Sequence, residues 1–545
     1  LDPEANLIAE QSYNALATKH NQTITLRFPP QTAAAGKQYT LQLSGTAGNQ
    51  LSVWGYSLAP QDQTVLSYAG VESRAQVLYY VGKYQLNGAT AVGMVARDTG
   101  RYGLLVLLLL LIIFLPGLLI AEFIHGENWD VLSYWGIAFT SGLASWPILW
   151  LWMTLLGGRF TGWLLWLLFI VGWGWWMWRQ WQNGFQWIRM SPLRLMAFLL
   201  LLLITYIVRF LAVRDLDFLP WVDASRHALI TAVTIQSGQF LQNYEPYLPI
   251  QQPIYHFGFH TIPASLQLMT NSYWPLEKVL LVTMQTLSSL MPLAVYSGTR
   301  LLTKHRGAAW LAAFLVALPF FFPAYYTTWG RLTQITGGLI MATLIGLTWQ
   351  IGRGLNRRRL WPLVGLLAAG LFLVHFRVFS FYIPLVIWVF LISIFYKRPR
   401  PLLMAGILGG ILVLPRLIQL LQPRITPMLT NTNIPENYNN FPTGYLTTGW
   451  EQFFWVLTAV AIIFLIAQSL SKRVDNFAPL SLALWMGLLF LLTAGELVGL
   501  PILLPQTNLN SMYISLFVPE AMIIGAAVGQ VWQLLSHRHW LVDVL

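Results

Sequence analysis

Long apolar runs, each closed by a short polar or basic segment, dominate this chain from residue 101 to its end. Thirteen of them approach the roughly 20 residues that a helix needs to cross hydrocarbon, where no backbone N–H or C=O can go unpaired. They cover 103–121, 131–154, 160–177, 191–213, 275–298, 307–323, 331–350, 360–374, 378–396, 401–420, 452–470, 479–495 and 511–534. The pattern predicts a polytopic α-helical membrane domain over 101–545. Ahead of it the pattern changes to period two. Short alternating runs at 23–28, 39–43, 51–56, 65–68, 77–80 and 89–95 are separated by Gly, Pro and Asn. Such runs predict strands, so residues 1–100 are expected to form a β-sandwich-like domain. Residues 3–19 are expected to form a short helix. Because the chain begins with Leu, a signal peptide or a further span is expected upstream.

Composition narrows the class. The chain is 56% apolar and only 10% charged, too little charge to cover a water-soluble surface of 545 residues. Its net charge of +12 invites a nucleic-acid reading, but the basic residues fall in short loops between apolar runs. One alternating set of loops holds Arg179, Arg189 and Arg194; Arg300, Lys304 and Arg306; Arg353 and Arg357 to Arg359; Lys397, Arg398 and Arg400; Lys472 and Arg473; and Arg538. The positive-inside bias places these in the cytoplasm, the 1–100 domain outside and the C-terminus inside. No nucleic-acid partner is expected. Cysteine is absent, which excludes disulfides, a thiol nucleophile and a thiolate metal site.

The opposite loops, 214–274, 324–330, 421–451 and 496–510, carry the unusual chemistry. Ionisable groups near a bilayer are costly unless they face a cavity or each other, so their accumulation predicts a polar cavity open to the outside. Asp223 and His227 are spaced i,i+4 and share a face if 220–238 is a helix along the outer membrane surface. His256 and His260 repeat that spacing. Asp223, His227, His256 and His260 could together ligate a divalent cation, Mg or Mn before Zn; alternatively they are a helix cap and hydrogen-bonded interfacial histidines. Arg331 and Arg377 sit on the side that the positive-inside bias disfavours. A guanidinium fork suits phosphate oxygens; the alternatives are snorkelling or an ion pair with Asp223 or Glu496. The neighbouring Tyr326 and Trp329 suit sugar rings or an isoprenoid tail, although aromatic residues also form interfacial belts.

The stretches Trp221-Val222-Asp223 to His227, Tyr255 to His260, Trp329-Gly330-Arg331 with Thr333-Gln334, and His375-Phe376-Arg377 resemble those of bacterial polytopic membrane glycosyltransferases of type C. The resemblance spans about 191–420. It implies transfer of a sugar from a polyprenyl-phosphate carrier to an extracytoplasmic glycan, lipid or protein, in a bacterial plasma membrane. It also implies an essential acid in the first large outer loop, which matches Asp223 as the base on the acceptor. Arg331 and Arg377 match phosphate ligands, with His227, His256 and His375 as further catalytic candidates. Trp221, His260, Tyr326, Trp329 and Glu496 are candidates for substrate contact. A second acidic motif of many members is missing near 324–334, so no cofactor is certain. That gap keeps other readings open: a non-catalytic scaffold subunit of a membrane complex, a lipid-linked glycan ligase or polymerase, or a flippase.

Overall fold

The computed structural model describes residues 2–13, 26–29, 39–44, 55–56, 66–68, 71–73, 77–78, 88–124, 129–182, 191–214, 216–219, 222–249, 255–354, 357–420, 449–471, 476–500 and 507–536. The chain divides into two compact units, Leu1–Ala91 and Val92–Leu545.

The first unit corrects the expected sandwich. Its described residues contain only two antiparallel pairs, β1 (Gly55–Tyr56) with β4 (Val77–Leu78) and β2 (Leu66–Tyr68) with β3 (Val71–Ser73). Two-stranded ladders this short have no face to bury, and a stable sheet needs three or more strands over an apolar layer. The residues expected to fill that layer are exposed instead, Phe28 by 54%, Leu41 by 51% and Leu43 by 59%. The described parts of 23–28 and 39–43 are not strands, and residues 3–13 are not helical. The run at 89–95 is helical: it opens α1 (Gly88–Ile124), because its alternation flows into the apolar run behind it.

The second unit is a helix bundle. It continues through α2 (Val131–Leu155), α3 (Gly162–Gln182), α4 (Pro192–Leu211), α5 (Val222–Ser237), α6 (Thr261–Met269), α7 (Leu276–Ser289), α8 (Met291–Thr303) and α9 (Arg306–Ala317). Two short turns follow, α10 (Phe321–Ala324) and α11 (Tyr326–Trp329). The rest are α12 (Leu332–Gly352), α13 (Arg357–Val374), α14 (Phe376–Phe395), α15 (Arg400–Leu420), α16 (Gly449–Leu470), α17 (Phe477–Ala494), α18 (Leu509–Tyr513) and α19 (Phe517–Ser536). The protein is therefore a polytopic, largely α-helical membrane protein. Each of the thirteen expected spans falls on helix, but among the described residues nine segments are long and apolar enough to cross. The other four are α2, α3, α9 and α13. Trp, Gly and Ser dilute the hydropathy of α2 and α3, while α9 and the apolar part of α13 are short for a span of about 30 Å.

Helix α12 lies at the centre, its membrane-length window wholly buried, with α2, α8, α13 and α14 around it. Close crossings depend on missing side chains. A Cβ on Gly298 would lie 1.9 Å from the Ala342 carbonyl oxygen, which brings α8 against α12. At the periphery α4, α15 and α16 leave most of their apolar surface open, as lipid-facing helices do.

Candidate functional site at one end of the bundle

Four separate stretches meet where α12 and α14 begin. Asp223 lies in the first turn of α5, with free backbone N–H groups nearby to favour its charge. One face of this helix packs into the bundle: Ala224, His227, Ile230, Thr231 and Thr234 are buried. Gly330 closes α11 in the left-handed region at φ 72°, and its Cα faces Ala224 closely enough that an added Cβ would touch it at 3.6 Å. That contact sets the turn at residue 331 against the start of α5. Arg331 accordingly reaches Asp223, with Nη1 and Oδ2 3.3 Å apart and both side chains about one-third exposed. The guanidinium carbon also sits 4.6 Å from the centre of the Trp329 ring. The Nε of Arg331 is buried without a hydrogen-bond partner.

Beneath this pair lies a dry layer of histidines. His227, His256, His260 and His375 are exposed by 7% or less. His260 donates from Nδ1 to the Phe257 carbonyl at 3.0 Å, so its Nε2 is the acceptor for the Nδ1–H of His227 at 2.8 Å. This order leaves Nε2 of a neutral His227 as a lone-pair nitrogen. His256 Nε2 lies 3.1 Å from the Thr333 hydroxyl, and its Nδ1 is buried without a partner. His375 caps α14 by accepting the Val378 N–H at Nδ1, so its Nε2 carries the proton. The rings of His256 and His375 are 4.2 Å apart, and Tyr255 stacks on His256 at 4.0 Å.

Burial sets the charge states here. It holds His227 and His256 far below the usual imidazole range, helped at His227 by His260 and at His256 by His375. His260 is pushed down to about 3 by burial, against a small opposing effect of its bond to Phe257. Burial first, then the Asp223 charge, pushes the Tyr255 phenol up to about 12. The layer is thus neutral, and the mobile charges lie at its rim.

The candidates separate clearly. Asp223, His227, His256, His260, Arg331 and His375 form one cluster, and Arg377 joins its edge, half-buried in the first turn of α14 and near enough to disfavour protonation of His375 and His256. Arg331 adopts the ion pair with Asp223 in this state. Tyr326 is buried and donates to the Ile514 carbonyl at 2.6 Å, while Trp329 stacks over it. Tyr326 therefore supports Trp329 from behind. Glu496 is exposed on a 3-10 turn, Gly495–Val498. Trp221 lies outside the described residues.

The expected metal set is corrected. Among the described residues no three His, Asp or Glu side chains are placed to share an ion. The reason is local: Asp223 turns to Arg331, the His227 and His260 nitrogens bond to each other, and His256 turns to Thr333. Sequence reasoning missed Tyr255, Thr333 and the His227–His260 bond. Tyr255 and Thr333 lie within the stretches that carry the resemblance but have no role assigned there, and nothing along the chain signals a pairing across 33 residues. No protein-family model matches this chain, and no curated protein resembles it closely enough to count as a match.

Proposed function

We propose that this protein is a membrane glycosyltransferase of type-C character, moving a sugar from a polyprenyl-phosphate carrier to an acceptor hydroxyl outside the cytoplasm. The observation that carries the reading is the Asp223–Arg331 pair, a part-exposed acid and guanidinium fork joined above a dry, neutral histidine layer. The donor phosphate takes over the guanidinium and releases the Asp223 carboxylate. Asp223 then accepts the proton of the acceptor hydroxyl as its oxygen bonds to the anomeric carbon. The bond from that carbon to the phosphate oxygen breaks, and its electron pair leaves with the phosphate held by Arg331. Arg377 adds positive charge at the edge, and Trp329 offers a ring face to the sugar or the lipid. Low dielectric strengthens each of these interactions.

The proposed orientation puts this end of the bundle outside a plasma membrane. Arg353 and Lys397 follow the far ends of α12 and α14, the helices that begin at the cluster, which accords with a cytoplasmic position for them. A second reading, a scaffold subunit, is favoured by one fact: the Asp223 charge is already matched by Arg331, as in a structural pin.

The test uses purified full-length protein in lipid nanodiscs with polyprenyl-phosphate sugars, following sugar release from the carrier. Asp223→Asn is expected to lower turnover by about 10²-fold or more, the usual scale for a general base, with the fold retained. Equal turnover by wild type and D223N would remove Asp223 from the chemistry. Wild-type inactivity with every donor and acceptor, alongside a D223N effect on stability alone, would establish the pin.

A further inference from the structure

A second polar site lies behind the aromatic wall of the first. Helices α10, α16, α18 and α19 line a small, partly open cavity, with room for about one water-sized group, walled by the aromatic side chains of Phe320, Phe322, Phe454, Tyr513 and Phe517. Two carboxylates, Glu451 and Glu520, complete its lining. Glu451 is 9% exposed and accepts the Phe321 N–H at 3.1 Å, which fixes it at the start of α10. Glu520 is 6% exposed, lines the cavity, and its carboxylate makes no hydrogen bond or ion pair among the described residues. A carboxylate this deep without a partner is costly, and the closeness of a second acid makes ionisation of both costlier still. An anion is excluded, and beyond the two carboxylates the lining side chains add only the Tyr513 hydroxyl, which already accepts from Trp455, too few oxygens for a hard divalent ion that needs six or more.

We propose that this cavity binds an ammonium group, held between the Glu451 and Glu520 carboxylates and flanked by the aromatic side chains. A desolvated ammonium is stabilised by ring faces as well as by carboxylates, whereas a compact hydrated metal ion gains little from the rings. Phe322 links the two sites: its ring centre lies 6.4 Å from that of Trp329, over which Arg331 sits. The amine belongs either to a free small molecule or to the headgroup of a lipid. This inference stands independently of the transferase reading.

The experiment measures binding of radiolabelled methylammonium to the full-length protein in phosphatidylcholine nanodiscs at neutral pH. Saturable binding at one site per chain is expected, with little competition from equal sodium. Glu520→Gln and, separately, Glu451→Gln should each weaken it by about tenfold or more, a loss of about 1.4 kcal/mol. E451Q keeps the test decisive if E520Q does not fold. Replacing part of the lipid by phosphatidylethanolamine separates the sources: lost methylammonium binding assigns the amine to a lipid headgroup, and unchanged binding assigns it to a free amine. Non-saturable binding, binding unaltered in every folded variant, or equal displacement by sodium would each overturn the proposal.

Discussion

Arg331 divides one guanidinium among three tasks: it faces Asp223 at 3.3 Å, covers the Trp329 ring, and keeps a buried Nε–H in reserve. Lysine reproduces only the charge. On the proposed function, Arg331→Lys should raise the KM for the lipid donor about tenfold. Stability should change by less than about 1 kcal/mol, because part-exposed ion pairs contribute little; titrating donor and comparing melting temperatures checks both. The histidines set a separate prediction. His227, His256 and His260 have folded-state affinities for protons below the unfolded value near 6.5. Between that value and their folded pKa values the unfolded chain binds more protons, so stability must fall as pH drops below 6.5. Each group that stays neutral contributes up to about 1.4 kcal/mol per pH unit there. Melting temperature should therefore decline from pH 6.5 toward 5, and His260→Asn should flatten the slope. Asp223 and His227 were legible because i,i+4 spacing survives folding into one helix. Glu520 was not, since it sits inside an apolar run; its only signal was an ionisable residue at membrane depth.

The helices were legible because hydropathy reports the one demand that hydrocarbon makes on every span. What hydropathy omits is the neighbour. It treats α12 and α15 alike, although α12 is wholly buried and α15 is open over most of its length. The residues that distinguish them are glycines at crossings, which a hydropathy scale reads as merely neutral. A Cβ on Gly142 of α2 would stand 1.7 Å from the Ile113 carbonyl oxygen of α1, whereas one on Gly406 of α15 would meet nothing within 4 Å. Gly142→Val must push two helix backbones apart and should cost about 3 kcal/mol or more, at the upper end for overpacking. Gly406→Ala should be neutral or stabilising by up to about 1 kcal/mol through helix propensity. Thermal denaturation of the two variants in one detergent compares them directly. Equal losses would mean that the α1–α2 crossing is looser than its geometry.

At the scale of the whole chain, the membrane unit was legible and the first unit was not, for one physical reason. A span is specified by residues adjacent in sequence, while a sandwich is specified by pairings between distant strands, which alternation alone cannot choose. Alternation at 89–95 therefore read as strand, although its continuation made it helix. Sidedness is also a property of the whole chain, summed over loops that never touch. On the proposed orientation, the turn before α7 lies outside and the turn after α14 lies in the cytoplasm. Tyr273, 78% exposed, marks the first, and Arg398, also exposed, marks the second. The chain contains no cysteine, so a single introduced thiol reports without background. Tyr273→Cys should react with a membrane-impermeant maleimide in intact cells, and Arg398→Cys should react only after permeabilisation. Neither substitution touches the Asp223–Arg331 cluster, and both side chains are exposed, so both variants should fold as the parent does. The opposite labelling pattern would turn the cluster toward the cytoplasm. Soluble nucleotide sugars would then become its natural donors, and the case for a lipid-linked donor would lose its topological support.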